Sequence, residues 1–283
     1  MKIPDQLKSL PAPLMRALLD DKYDKGDSEF SVTQLLGPPQ RTYLATKHKE
    51  EKNIIGGFYA LLGTVLHKVL EEYAIEEEGE IVEQRLHILV HGRKVSGQLD
   101  LMDMMNSTIF DYKFIGGYHE EMKEDHYRQL QMNGYLAEEN KKKFDNVAIV
   151  YFMRDWSIMR AQSDPKYPAL PIYIHLKPYI REIGEREFNQ RVLEHAAAAD
   201  GKPRSCTREE KWQSDPTYAL MKVGGKRARK LCATREEAEE LKKPNEIIEK
   251  RETQRTFCEM FCGFRNVCPQ YARETLRQMK DQD

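Results

Sequence analysis

The chain has 283 residues, 40% of them hydrophobic and 32% charged, with a formal net charge of -1. That length can bury a substantial core, and so polar a composition speaks for a globular chain with no membrane partner. The near-neutral balance neither advertises nor excludes nucleic-acid binding, because enzymes of phosphodiester chemistry collect acidic metal ligands that cancel their basic contacts.

The N-terminal MKIPDQLKSL lacks the apolar stretch of a signal peptide, so the expected location is the cytoplasm. No apolar run is expected to approach the length of a membrane span. Residues 1–54 read as short helices with breaks: Ser31 can cap VTQLL, and Gly37-Pro38-Pro39 stops it. A helix is expected over 57–77, with Leu62, Val65, Leu66, Val69, Leu70 and Tyr73 as its apolar face. Three strands follow at 85–90, 94–103 and 108–114, with turns at His91-Gly92 and Asn106-Ser107, as in an antiparallel meander. Then come a helix over 123–142, a buried strand over 146–153, a strand over 171–179 and a helix over 181–199. The expected class is α/β, a mixed sheet flanked by helices. Beyond Asp200 the texture changes. YALMKV and KRARKLC flank Gly224-Gly225 as a hairpin, and Thr234 with Glu237 forms a capping box. Three segments are expected: an N-terminal helical segment (1–54), a core (55–199) and a cysteine-rich C-terminal segment (200–283).

The stretch IFDYKF raises the functional question. Alternation puts Phe110, Tyr112 and Phe114 on one face and Asp111 and Lys113 on the other. The aromatic face can pack on a helix. The charged face must meet water, a partner or a metal, since an unpaired buried charge costs several kcal/mol. Asp100, between Leu99 and Leu101 in the preceding strand, can share that face. Two adjacent carboxylates repel unless a cation lies between them, and oxygen ligands suit Mg²⁺ or Mn²⁺. Gly63, His67 and Glu71 lie four apart on the preceding helix. Gly63 would allow close approach to the sheet, and the imidazole would add a nitrogen ligand. Glu83 reads as a strand-end charge that could support the site.

Gly63-x-x-x-His67, Gly97-x-x-Asp100, Asp111-Tyr112-Lys113 and a following helix with Gln129 resemble, in this order, the PD-(D/E)XK nuclease superfamily. Within it they resemble the RecB-type branch, which includes the iron–sulfur nucleases of CRISPR adaptation and phage exonucleases. The likeness covers about residues 57–155. It implies a restriction-endonuclease-like core in which Asp100, Asp111, His67 and the backbone carbonyl of Tyr112 bind Mg²⁺ or Mn²⁺ and Lys113 is the catalytic lysine. Gln129 would match the family's glutamine–tyrosine helix motif, although Gln131 has the four-residue spacing to Tyr135. The implied activity is that of a deoxyribonuclease, an exonuclease on duplex ends or single strands, in recombination, repair or phage DNA processing in a bacterial or phage-infected cell.

The five cysteines lie in the last third of the chain, which favours a metal site over a disulfide scaffold. Cys258, Cys262 and Cys268-Pro269 resemble the iron–sulfur pattern of the same branch. The family's N-terminal cysteine position appears here as Gly37-Pro38, leaving Cys206 or Cys232 as fourth ligand. Cys206, in PRSCTREEKW, resembles a segment of phage relatives, and Cys232 suits a packing role. The resemblance thus implies a [4Fe–4S] cluster on Cys206, Cys258, Cys262 and Cys268, with a structural zinc as the competing group. Lys222, Lys226, Arg227, Arg229 and Lys230 on the hairpin could grip DNA phosphates, and Trp212 and Tyr218 could stack bases. Two other readings compete: a catalytically silent DNA-binding or assembly module of the same fold, and a zinc-stabilised nucleic-acid-binding protein.

Overall fold

The fold is that of a computed structural model in which residues 10–19 and 25–280 are described; the reading of the first nine residues lies outside them. The chain forms two compact units, Met1–Arg204 and Ser205–Asp283.

In the first unit, α1 (Ala12–Leu19), β1 (Phe30–Ser31), α2 (Val32–Leu36) and α3 (Pro39–Ala45) precede the long α4 (Ile54–Tyr73). The Ser31 side chain caps α2 by accepting the Gln34 N–H, as its position before VTQLL predicts. β2 (Glu80–Val90), β3 (Arg93–Asp103) and β4 (Thr108–Ile115) form the expected antiparallel meander. His91 and Gly92 both take φ above zero, at 50° and 75°, the two-residue turn whose twist suits a hairpin. After α5 (Glu124–Glu139), β5 (Asn146–Met153) pairs parallel with β4. β6 (Ile172–Pro178), reached through the short α6 (Ile158–Ser163), pairs antiparallel with β5, and α7 (Arg181–Ala199) follows. The result is a mixed six-stranded sheet flanked by helices, the class expected. The N-terminal segment is part of this unit, because Phe30 and Ser31 pair parallel with Val95 and Ser96.

One edge of β3 carries β2 along its length. The other edge carries β1 at Val95–Ser96 and β4 only from Leu101 onward. Residues 97–100 lie in the interval between those two neighbours. Gly97 there lets β3 lie against α5: a Cβ would sit 2.5 Å from Leu136 Cδ2 and 3.0 Å from Val32 Cγ2. Gly63 has no such role, since a Cβ on it would meet nothing within 4 Å. The close approach of α4 is at Gly57 instead, where a Cβ would collide with the Leu18 carbonyl.

α4 corrects two expectations. No residue on it is fully buried, and Val65, Val69 and Tyr73 of the anticipated apolar face are exposed. By length and composition it is also long and apolar enough to cross a membrane, against the expectation that no run approaches that length.

His195 on α7 is a core histidine. Its Nε2–H donates to the Gly37 carbonyl (3.1 Å), so its Nδ1 accepts from the Thr42 hydroxyl (2.7 Å). Burial holds its pKa down to about 4, against the pull of the Gly37 carbonyl and with help from Arg191; Glu194 opposes weakly. The folded pKa lies below the ordinary 6.5, so the unfolded chain binds the extra proton between those values. Stability is therefore lost as pH falls from about 6.5 toward 4, by up to ~3 kcal/mol. Urea melts at pH 7 and pH 5 should show this loss, and His195→Gln should flatten that difference.

In the second unit, β7 (Thr217–Lys222), β8 (Ala228–Cys232) and β9 (Glu246–Arg251) form a three-stranded antiparallel sheet with β7 central. The hairpin and the Thr234 cap of α8 (Arg235–Leu241) match the sequence reading; β9 was not anticipated. α9 (Thr256–Met260) and α10 (Pro269–Lys280) complete the unit.

Candidate metal centre

The centre begins with a ladder that stops. β3 and β4 pair at Leu101↔Phe110, so the next rung would set Asp100 against Asp111. That rung is not made. Instead the Asp100 Oδ2 accepts the Tyr112 N–H at 2.9 Å, a carboxylate filling the place of a strand carbonyl. The strands part at the two acids and leave both carboxylates on the gap.

Asp111 is only 3% exposed. Its Oδ1 accepts from Gln129 Nε2 of α5 at 2.9 Å, and the Lys113 ammonium stands 2.7 Å from its Oδ2. Gln131, the rival glutamine, is fully buried elsewhere, bonding the Pro178 carbonyl and the Ile180 N–H. The expected division of β4 is reversed: the Asp111 face, with Ile109 and Ile115, is the buried one, and Phe110, Tyr112 and Phe114 are half-buried. The acid is tolerated inside because a cation and an amide donor both reach it.

From α4, His67 Nδ1 lies 2.9 Å from Glu83 Oε1 and 3.5 Å from Asp100 Oδ1. Among the described residues, His67, Glu83 and Asp100 form the group whose ligand atoms all lie within 4.8 Å of one another. Glu71, expected on the same stripe, instead pairs with Lys68 at 2.5 Å.

The electrostatics call for a cation. Burial, and then the Asp111 carboxylate, push Asp100 up to about 7, with Lys113 and His67 pulling the other way. Burial disfavours charge on Lys113 and on His67, yet Asp111 and Asp100 around the lysine, and Glu83 and Asp100 around the histidine, hold both pKa values above the ordinary ones. Three carboxylates outnumber the ammonium and the imidazole whose charged forms they favour, and a divalent ion would neutralise the excess. Oxygen atoms and one imidazole nitrogen suit Mg²⁺ or Mn²⁺, so the donor set fits the metals the resemblance implies.

No protein-family model matches the chain, and no curated protein does. Among solved structures, SSO0001 is similar at 18% identity and a TM-score of 0.48, over 68% of this chain and 85% of that one. A phage-related exonuclease from Haemophilus somnus 129PT follows at 16% and 0.36, over 57% and 78%. The alkaline exonuclease LHK-Exo from Laribacter hongkongensis follows at 14% and 0.33, over 60% and 78%. Likenesses this distant assign no activity.

Glu83 is the site residue that the sequence reading underrated. The His91-Gly92 turn sets Val90 opposite Arg93, and counting back along that register sets Glu83 opposite Asp100. A strand begun at 85 stops short of it.

In the second unit, Cys206, Cys258, Cys262 and Cys268 influence one another electrostatically, whereas Cys232 is buried with Leu220 and Ala238. Burial first, and then neighbouring acids and thiols, raise Cys206 to about 12; burial and Cys262 raise Cys258 to about 11. Four thiols could hold either an iron–sulfur cluster or a zinc ion. The segments are held by side chains. Gln270 bonds both the N–H and the carbonyl of Cys206, and Glu274 takes Lys211 (2.8 Å), Gln270 (2.9 Å) and Arg255 (3.4 Å).

The basic hairpin is thinner than expected. Arg229 clasps Glu246 through two nitrogens (2.6 and 2.8 Å), and Lys230 pairs with Glu237 at 3.0 Å. Lys222, Lys226 and Arg227 are exposed. Tyr218 packs on the small core of this unit, and Trp212 lies edge-on to Phe257 and Phe261.

Proposed function

We propose that the chain is a divalent-metal-dependent deoxyribonuclease whose centre is Asp100, Asp111, Lys113 and His67. The observation that carries this reading is the interrupted β3–β4 ladder, which sets two carboxylates, one of them at the ammonium of Lys113, beside an imidazole from α4. Bound Mg²⁺ or Mn²⁺ would supply Lewis acidity and a water of lowered pKa. Asp100, Asp111, His67 and the Tyr112 carbonyl would hold the ion. Lys113 would stabilise the charge that gathers on the phosphoryl oxygens in the transition state. Gln129, through its bond to Asp111 Oδ1, would keep that carboxylate oriented. Exonuclease action on DNA ends or single strands, in recombination, repair or phage DNA processing, follows from the RecB-type resemblance. So does a structural [4Fe–4S] cluster on Cys206, Cys258, Cys262 and Cys268.

The test uses protein purified without oxygen and end-labelled single-stranded, linear duplex and closed circular DNA, with Mg²⁺, Mn²⁺ or chelator. Metal-dependent loss of the linear substrates with the circles spared is the expected result. Binding without cleavage under every condition would overturn the enzyme reading and leave a silent DNA-binding module.

A further inference from the structure

We propose that the chain forms a two-fold dimer in which the α4 helix of each copy lies on the open half of the other copy's sheet. This goes beyond the nuclease reading, which concerns the inner side of α4. Residues 54–66 of that helix carry no charge, and Lys68, Glu71 and Glu72 lie together near its end. A helix apolar on all sides is ordinarily buried, yet no residue of α4 is fully so. Its inner side meets β4, where the His67 ring lies edge-on to Tyr112. Its outer side carries Phe58, Val65 and Val69, all exposed.

The sheet beside that helix lies open. Pairing sets Ile174 of β6 opposite Val150, and Val150 opposite Tyr112; Ile172 stands likewise opposite Phe152, and Phe152 opposite Phe114. Residues opposite one another in a ladder share a face, so these rows lie on the side of Tyr112, which is the side of α4. Toward β4 the rows are half-buried, but at the far edge Ile172, Ile174 and Leu176 are exposed. The alternate residues of that strand, Tyr173 and His175, pack against Tyr151 on the opposite face. Among the described residues β6 pairs with β5 alone, so it ends the sheet.

One molecule thus offers both an apolar helix flank without a cover and a half-sheet without a helix. A second copy turned about a two-fold axis supplies each with the other, the self-complementary contact that closed dimers use. The outer side chains of α4 and β6 named above, each 46–56% exposed, present roughly 600 Å² of apolar surface per copy. That is most of the ~800 Å² that each partner of a standard interface buries. A lipid surface suits the helix less well. Interfacial helices line their polar edge with Lys and Arg, whereas α4 has Lys68 beside two glutamates, and a bilayer would leave the β6 column uncovered.

The test is sedimentation velocity of the full-length chain, purified without oxygen, over a range of concentrations and without DNA. Wild type is expected to pass from one chain to two as concentration rises. Val65→Glu and Ile174→Lys should each weaken that association at least about tenfold and leave the melting temperature unchanged, since both side chains are exposed. Mixing the two variants should restore a dimer, because the introduced charges then face one another across one contact while the other contact keeps its native pair. Wild type that stays a single chain at every concentration would overturn the proposal. So would a dimer indifferent to both substitutions, or a mixture that stays monomeric. Flotation of wild type with phosphatidylcholine–phosphatidylglycerol vesicles, lost in Val65→Glu and kept in Ile174→Lys, would assign α4 to a membrane instead. None of these outcomes bears on the nuclease reading, which stands or falls on cleavage.

Discussion

Asp111→Asn and Lys113→Met should each lower metal-dependent DNA cleavage by at least about a hundredfold, the scale seen when one preorganised electrostatic group is lost from a transition state. Their effects on stability should differ. Lys113→Met leaves the Asp111 carboxylate inside the fold without its cation, and breaking one side of a buried pair costs ~3 kcal/mol. Asp111→Asn removes the charge that needed compensation, and Asn can still bond Gln129. The double variant should therefore recover most of the stability that Lys113→Met loses and none of the cleavage. Initial rates on end-labelled DNA, paired with urea melts of the two single variants and the double one, check this. Equal rates in Asp111→Asn and wild type would remove the assigned centre.

Cys206→Ser should abolish iron and acid-labile sulfide in anaerobically purified protein, and Cys232→Ser should leave both unchanged. The contrast follows from placement, since Cys206 lies among the other three thiols and Cys232 packs with Leu220 and Ala238. Loss of the group should also loosen the second unit by several kcal/mol. Its core is small, with Tyr218 and Ile248 completing the cluster around Leu220, and a segment of about 80 residues with so little apolar burial ordinarily needs a metal or covalent staple. Limited proteolysis should accordingly cut Cys206→Ser within residues 205–280 while unit 1 resists. Zinc at one equivalent in place of iron, in protein never exposed to oxygen, would reject the cluster.

Much of this was legible in the residues. Strand and helix periods placed β3, β4, β5 and α7 within a residue or two, because alternation and the 3.6-residue repeat are local consequences of burial. Asp100 and Asp111 pointed to a candidate metal centre for a reason that needs no coordinates, since two carboxylates on adjoining strands cannot stay charged together without a cation, and Gly97 entered through the resemblance to the nuclease superfamily. The glycine's part is equally plain once α5 is known, for Leu136 fills the space a side chain would take. Burial at the end of a local pattern was harder to see. The exposed flank of α4 and the inverted faces of β4 both depend on which element covers which side, and periodicity marks a face without saying what lies on it.

The residues by themselves determined the class of fold and singled out the acids and lysine of the proposed centre and the three clustered cysteines, since each is a matter of type and spacing along one chain. Tertiary structure alone decided that Glu83 joins His67 and Asp100, that Gln129 rather than Gln131 reaches Asp111, and that Arg229 belongs to Glu246. Those choices turn on distances between segments far apart in sequence, and rotation of a helix by one residue, or extension of a strand by two, would have settled each of them differently.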